Sequence, residues 1–426
     1  MPEEKNSRKI NLLQVCYTSE WALAKFFRAL VDNVTSSCYN LVGVTGRELD
    51  KDLARERMIN EDDKRNSIIR QGKNWRIENT LAEKDSIRDI LRNISKGVTQ
   101  YFHSEDGDIS NITQEYDAAA IFSSNKNHID YIRKFITLRK HVLCEKPIVT
   151  VTDENHKADR KQLNELEKIV NETEENNRKL VLMDSEHYSY KPASITFFER
   201  VGDMVAKYGK ISNISGCTKE LDDPERERVR KLLCKNSRTG LLLDMGVHLF
   251  GIVSNIGGTV GEITDAKYGI YPGHKEPGKR ECLPYDVETY AKVNFNLKGN
   301  LFHEGAKGEF EFVKFIDRLK NREPEKKQVE VTFTDKDESG KNIETIVTVD
   351  FASGKVIDNR GVEWYSHSSP SKNEYVNILN EFHKAVTQGT EPRTSFRRSI
   401  KNLDAIYRIY EQFPVQGSNL TEVYQR

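Results

Sequence analysis

Two groups of residues have the types and spacing to do chemistry. Lys146 stands in Cys144-Glu145-Lys146-Pro147, just after an apolar run that reads as a strand, and open α/β sheets bind ligands outside the carboxyl ends of their strands. A lysine there can donate to a substrate hydroxyl and favour the developing alkoxide, more so where partial desolvation lowers its pKa. The competing reading is a surface lysine before a structural proline. The second group is Leu241-Leu242-Leu243-Asp244-Met245-Gly246-Val247-His248. On a helix, Asp244 and His248 share one face. Such a carboxylate would hold the imidazole and stabilise its protonated form, and histidine is the usual general base near neutrality. A hydrogen-bonded structural pair and half of a metal site compete with that reading. No third nitrogen or carboxylate ligand stands at metal-binding spacing, so no metal is expected.

The elements that must position these residues fall into two halves. Ile10 to Cys16, Leu41 to Val44, Val98 to Phe102, Asp117 to Phe122, His141 to Cys144 and Lys179 to Met183 read as buried strands. Helical material separates them, including helices over 127–139 and 155–176, and strand–helix alternation predicts a parallel sheet covered on both faces. From about Gly209 the pattern changes to period-two strands: Lys210 to Thr218, Ala266 to Tyr271, Glu288 to Leu297, Gly308 to Lys314, Gln328 to Thr334 and Ile343 to Phe351. That half is a mainly antiparallel sheet, closed by helices over 371–388 and 395–412. The expected class is α/β, with a Rossmann-like doubly wound domain over 1–186 and an α+β domain with a large antiparallel sheet over 187–426. The charged stretch 47–96 reads as a peripheral insertion.

Composition narrows the partners. The chain has 426 residues, with Lys plus Arg and Asp plus Glu both 66 and a net charge of +0, so no overall field favours nucleic acid or an anionic membrane. No apolar run approaches the roughly 20 residues that span a bilayer. Met1 to Lys9 is polar and leads into a short mixed run without the apolar core of a signal peptide, and a cytoplasmic location is expected. The six cysteines form no CxxC pair, and free thiols are the default. A sheet covered by helices on one face predicts a homodimer or homotetramer through the other, with Glu288 to Leu297 and Gly308 to Lys314 on that face.

Four segments resemble the glucose–fructose oxidoreductase / inositol dehydrogenase / MocA (Gfo/Idh/MocA) family. They are Tyr116 to Phe122 followed by Ser123-Ser124-Asn125-Lys126-Asn127-His128, then His141 to Pro147, Tyr208-Gly209-Lys210-Ile211, and Gly240 to His248. The resemblance implies a nicotinamide-dependent oxidoreductase acting on a sugar, polyol or nucleotide-sugar hydroxyl. It makes Lys146 the catalytic lysine, Asp244 the substrate-orienting acid and His248 the proton-transfer histidine. Ser123, Asn125, His128 and Glu145 would lie at the cofactor, and Glu186-His187-Tyr188, an uncommon choice for the family, would face the substrate. The family's Gly-x-Gly-x-x-Gly loop lets the backbone approach a pyrophosphate. Here Gln14 to Trp21 replaces it, and no glycine precedes Gly43. Thr18 and Ser19 offer hydroxyls to the phosphates instead, and Arg47 after the second strand suits the 2′-phosphate of NADP over NAD. The alternative is a family-fold protein that has lost dinucleotide binding and uses the pocket for non-redox catalysis or ligand binding.

Overall fold

A computed structural model of the chain describes residues 8–15, 26–30, 38–47, 99–103, 112, 115–176, 179–222, 224, 229, 233–273, 283–316, 319, 324–364 and 373–413. The phosphate-loop candidates Thr18 and Ser19, the insertion after Arg47 and the side chain of Arg47 lie outside them. The chain divides into two compact units of three segments each: unit 1 is 1–145, 173–185 and 375–392, and unit 2 is 146–172, 186–374 and 393–426. The chain passes from unit 1 to unit 2 for the second time after Ser185.

Unit 1 is built on the strands β1 (Ile10–Val15), β2 (Tyr39–Arg47), β3 (Thr99–His103), β4 (Ala118–Ile121), β5 (His141–Cys144) and β6 (Leu182–Asp184). They form a sheet of order β3-β2-β1-β4-β5-β6 in which every pairing is parallel. Ala118, Ala119, Ala120 and Ile121 are all fully buried, because a parallel strand with both faces covered must be apolar on both. The helix His128–Thr137 buries Ile129, Tyr131, Ile132, Phe135 and Ile136 at helical spacing. Each such side chain contributes about 1.5–3 kcal/mol on leaving water. Strand order reverses between β1 and β4, the kind of switch point at whose strand ends doubly wound sheets bind ligands.

Unit 2 carries β7 (Lys210–Lys219), β8 (Thr259–Gly269), β9 (Tyr290–Lys298), β10 (Phe302–Val313), β11 (Lys326–Lys336), β12 (Asn342–Asp350) and β13 (Lys355–Asp358). Their order is β13-β12-β11-β7-β10-β9-β8. All neighbours are antiparallel except β10 and β7. Along β9, Ala291, Val293, Phe295 and Leu297 point into the core, where Phe250 of the helix Val247–Asn255 packs on Phe295 and Phe310 at 5.6 and 5.1 Å. The alternate residues make the other face hydrophilic: Asn213, Ser215, Asn294, Asn296 and Glu309 line a shallow depression there, with Lys292 on Glu309 at 3.0 Å.

The helix expected over 155–176 begins at Lys161. Asp153 explains the difference, because its carboxylate accepts from the Asn155 and Lys157 amides at 2.9 and 2.8 Å, folding 152–158 into a turn closed by a Thr152–Ala158 bridge. Gly209 ends the helix Pro192–Tyr208 with φ 85° and ψ −173°, a region open essentially to glycine. A Cβ built there would stand 2.1 Å from the Thr334 carbonyl oxygen. Gly209→Ala is therefore expected to lower stability by more than about 1–3 kcal/mol, read as a drop in Tm and in the urea midpoint at unchanged m. An unchanged midpoint would show that the backbone relaxes there.

No helix among the described residues is long and apolar enough to cross a membrane.

Candidate active site

The site in unit 2 grows from the start of a helix. Residues Leu242–Gly246 form a π turn that continues into Val247–Asn255, and such widened turns recur where a side chain or carbonyl is needed for function. Asp244 lies in the turn and His248 in the helix. Lys146 donates to the Asp244 carbonyl oxygen at 2.7 Å and to its Oδ1 at 2.9 Å, and the two side chains are only 12% and 13% exposed. An ammonium group has three N–H donors. Among the described residues two are engaged, which leaves one for a ligand oxygen.

A second lysine, absent from the sequence reading, completes this charge cluster. Lys314 follows β10 and is buried, with Nζ 2.5 Å from Glu220 Oε2, 3.1 Å from Asp222 Oδ2 and 3.2 Å from Asp244 Oδ2. Lys327 reaches Glu220 Oε1 at 2.7 Å. Burial alone would raise the Asp244 carboxyl, but Lys146 and Lys314 outweigh it and hold the group well below the usual carboxylate range. Burial would also raise Glu220, yet Lys314 and Lys327 bring it down to about 2. Burial opposes the Lys314 ammonium, and Asp244, Glu220 and Asp222 together raise its pKa nonetheless. Asp244 therefore stays ionised and is an anchor for Lys146, with no capacity to trade protons near neutrality.

The expected Asp244–His248 pair is replaced by a different one. His248 Nδ1 lies 2.5 Å from Glu186 Oε1, whereas both Asp244 oxygens are taken by lysines. Glu186 is buried and caps the turn His187–Tyr190, accepting from the Tyr188 and Ser189 amides. Its carboxylate is thus turned onto its own backbone and onto His248, where the sequence reading had it facing substrate. Tyr188 stacks on the His248 ring at 4.1 Å and 15°, and His187 meets the same ring edge-on at 4.6 Å. Burial and the charge of Lys146 push the imidazole of His248 well below its ordinary pKa, with Asp244 offsetting part.

The cofactor candidates of unit 1 that are described sit around the ends of β4 and β5. Asn125 begins the short 3-10 turn Asn125–Asn127, and Ser123 Oγ donates to the Ser124 carbonyl oxygen at 3.4 Å. His128 is fully buried, with Nε2 3.0 Å from the Ser123 carbonyl oxygen, so its ring closes this turn from inside the core. Glu145 Oε2 accepts from Ser185 Oγ at 2.8 Å and from the Tyr375 hydroxyl at 2.7 Å. Among the described residues no group of three or more His, Cys, Asp or Glu is arranged to hold a metal.

The comparisons with known proteins agree with this architecture. Residues 71–182 match the model of the GFO_IDH_MocA family, described as an oxidoreductase family with an NAD-binding Rossmann fold. A Thermotoga maritima oxidoreductase superposes with a TM-score of 0.61 at 16% identity over 95% of this chain and 96% of its own. A levoglucosan dehydrogenase in complex with NADH and levoglucosan gives 0.62 at 12% over 95% and 97%. The WlbA dehydrogenase from Bordetella pertussis, in complex with NADH and UDP-GlcNAcA, gives 0.61 at 10% over 95% of both chains. No curated protein matches the chain. The family that the sequence motifs resemble is thus the one whose model matches residues 71–182, and the fold is shared with these three oxidoreductases.

Proposed function

We propose that the protein is an NAD(P)-dependent dehydrogenase acting on a hydroxyl of a sugar, polyol or nucleotide-sugar derivative. The observation that carries this reading is the Lys146–Asp244 contact beside His248: an ammonium with, among the described residues, one N–H left to give, and an imidazole whose Nδ1 lies 2.5 Å from a Glu186 oxygen. Such a pair can deprotonate an alcohol while a hydride leaves its carbon. A bound nicotinamide would supply the hydride acceptor or donor. The remaining work falls to side chains. Lys146 donates to the hydroxyl oxygen and stabilises alkoxide character, and His248 accepts the proton at Nε2. Asp244, fixed in its ionised form, keeps Lys146 aimed.

Strand order in unit 1 supports dinucleotide binding, because it creates the crevice that nucleotides occupy in doubly wound sheets. Thr18, Ser19 and Arg47 would meet the phosphates, with Ser123 and Asn125 nearer the reacting end. The substrate class follows the neighbours, whose bound molecules are levoglucosan and UDP-GlcNAcA. A cytoplasmic homodimer or homotetramer completes the proposal.

Titration with NADH and NADPH by fluorescence, followed by a turnover screen over sugars, polyols and nucleotide sugars, tests it. Saturable binding of one dinucleotide and substrate-dependent change in reduced-nicotinamide absorbance are expected. Absence of binding at millimolar cofactor would transfer the site to a non-redox role on a sugar-like ligand, the reading that the glycine-free run before Gly43 favours.

A further inference from the structure

The hydrogen bonds behind His248 form a chain with a defined sense. Arg398 Nη1 donates to Asn255 Oδ1 at 3.1 Å. A guanidinium has no acceptor, so this contact fixes which atom of the amide is oxygen, and the 2.9 Å bond from Asn255 Nδ2 to the Gly251 carbonyl oxygen fixes it independently. The same Nδ2 donates to Ser189 Oγ at 2.9 Å, which leaves the Ser189 hydroxyl proton to go to Glu186 Oε2 at 2.5 Å. Glu186 also receives the Tyr188 amide at 2.7 Å and the Ser189 amide at 3.0 Å. Every group that reaches the carboxylate from its own turn is a donor. Gly251, three residues after His248 on the same helix, makes room for it, since a Cβ there would stand 3.1 Å from Glu186 Oε2.

We propose that Glu186 is the positioning residue of His248: an acceptor-only carboxylate, oriented by the Arg398–Asn255–Ser189 chain, that fixes the Nδ1–H tautomer and leaves Nε2 to take the substrate proton. This rests on the dehydrogenase reading above. In the oxidative direction the substrate O–H bond breaks and its proton passes to Nε2. Its electron pair forms the carbon–oxygen double bond, and the C–H pair leaves as hydride to the oxidised nicotinamide. The Nδ1 proton stays on the imidazole throughout, donated to Glu186, whose carboxylate stabilises the imidazolium. Among the described residues Nε2 makes no hydrogen bond that would compete.

Other groups bear on the pair from each element packed on it. Lys146 and Lys191 disfavour the imidazolium, Asp244 and Glu220 favour it, and His187 and Tyr188 cover the ring. Burial raises the Glu186 carboxyl to about 7 against its donors, and burial lowers His248. The two titrate together, with an apparent pKa that belongs to the pair, and the acceptor form of Glu186 is the one present above it.

The test is 15N NMR of histidine-labelled full-length protein, with His248 assigned by its loss in His248→Asn, together with the pH profile of kcat/KM. Wild type should show a protonated Nδ1 and an unprotonated Nε2 above the pair's titration. In Glu186→Gln the Nδ1–H form should lose its dominance, and kcat should fall about 10²- to 10⁴-fold with a smaller change in KM. The acid limb of the profile should move to lower pH, because the imidazolium has lost its anionic partner. Gly251→Ala, which removes no titrating group and adds helix propensity, should weaken the same tautomer preference, and it serves if Glu186→Gln does not fold. A wild-type His248 protonated on Nε2, or a Nδ1–H tautomer that survives Glu186→Gln or Gly251→Ala, overturns the proposal. The tautomer is read without cofactor. A Nδ1–H form that depends on Glu186 in a protein with no dinucleotide turnover would thus overturn the dehydrogenase reading and leave the assignment of Glu186 to His248 standing.

Discussion

Lys146→Met is expected to lower kcat by roughly two to four orders of magnitude while the protein still folds and still binds NAD(P)H. Methionine keeps the length of the stem and removes the donor. Lost with it are the one N–H available to a substrate oxygen and the positive charge that favours an alkoxide. Dinucleotide binding is attributed to the strand ends of unit 1, so its fluorescence titration should be unaffected. Asp244 would keep Lys314 at 3.2 Å and remain ionised. Steady-state kinetics on the substrate found in the screen measure the effect. A kcat within threefold of wild type would remove Lys146 from the chemistry and reduce its contact with Asp244 to a structural bond.

Lys314→Met should act on stability instead, by about 3–5 kcal/mol, because it strands Glu220, Asp222 and Asp244 around one buried position without the cation that joins them. The dependence on pH has a definite sign. In the wild type Glu220 titrates at about 2 when folded, below its unfolded value of about 4.3. The unfolded chain therefore binds more protons, and the stabilisation present above that unfolded value is lost as pH falls toward 2. Lys314 has a raised folded pKa. Its contribution is complete below the unfolded value of about 10.4 and is lost as pH rises through the folded one. In the variant the crowded carboxylates prefer to be protonated when folded, so acid relieves them. Urea unfolding should accordingly show a difference between the two proteins that is largest near neutrality and shrinks toward pH ~4.5. A difference that stays below about 1 kcal/mol at every pH would mean that water or rearranged side chains replace the ammonium.

Much of this architecture was legible because it is written in local periodicity. Buried parallel strands such as Ala118–Ile121 are apolar without interruption, and β9 alternates strictly between core and outer face. Lys146, Asp244 and His248 stood out because each sits at the end or start of such an element. What escaped was long-range partnering. The spacing of Asp244 and His248 suggested that they pair, yet each found a nearer counter-charge from elsewhere: Glu186 is 62 residues from His248 in sequence, and Lys314 is 70 from Asp244. Lys314 carries no local mark of burial, since a lysine closing a strand reads as solvated. Glu186 was noticed for its type, but only the turn it caps shows where its carboxylate points. His128 has a functional type and a buried position, and its spacing alone does not show that burial.

Unit 1 takes its last segment, Tyr375–Pro392, from late in the chain. The hydroxyl of Tyr39 donates to the Leu379 carbonyl oxygen across 340 residues, and Tyr375 supplies one of the donors to Glu145. On the ribosome unit 1 is therefore begun early and finished late, since its helix Glu374–Gln388 emerges only after residues 186–373 have been synthesised. Vectorial folding, in which an N-terminal domain closes before the next begins, is not open to this chain. The helix must be captured by a sheet that has waited for it, and the loop-closure entropy of that long detour falls on the rate of folding more heavily than on the stability of the finished unit.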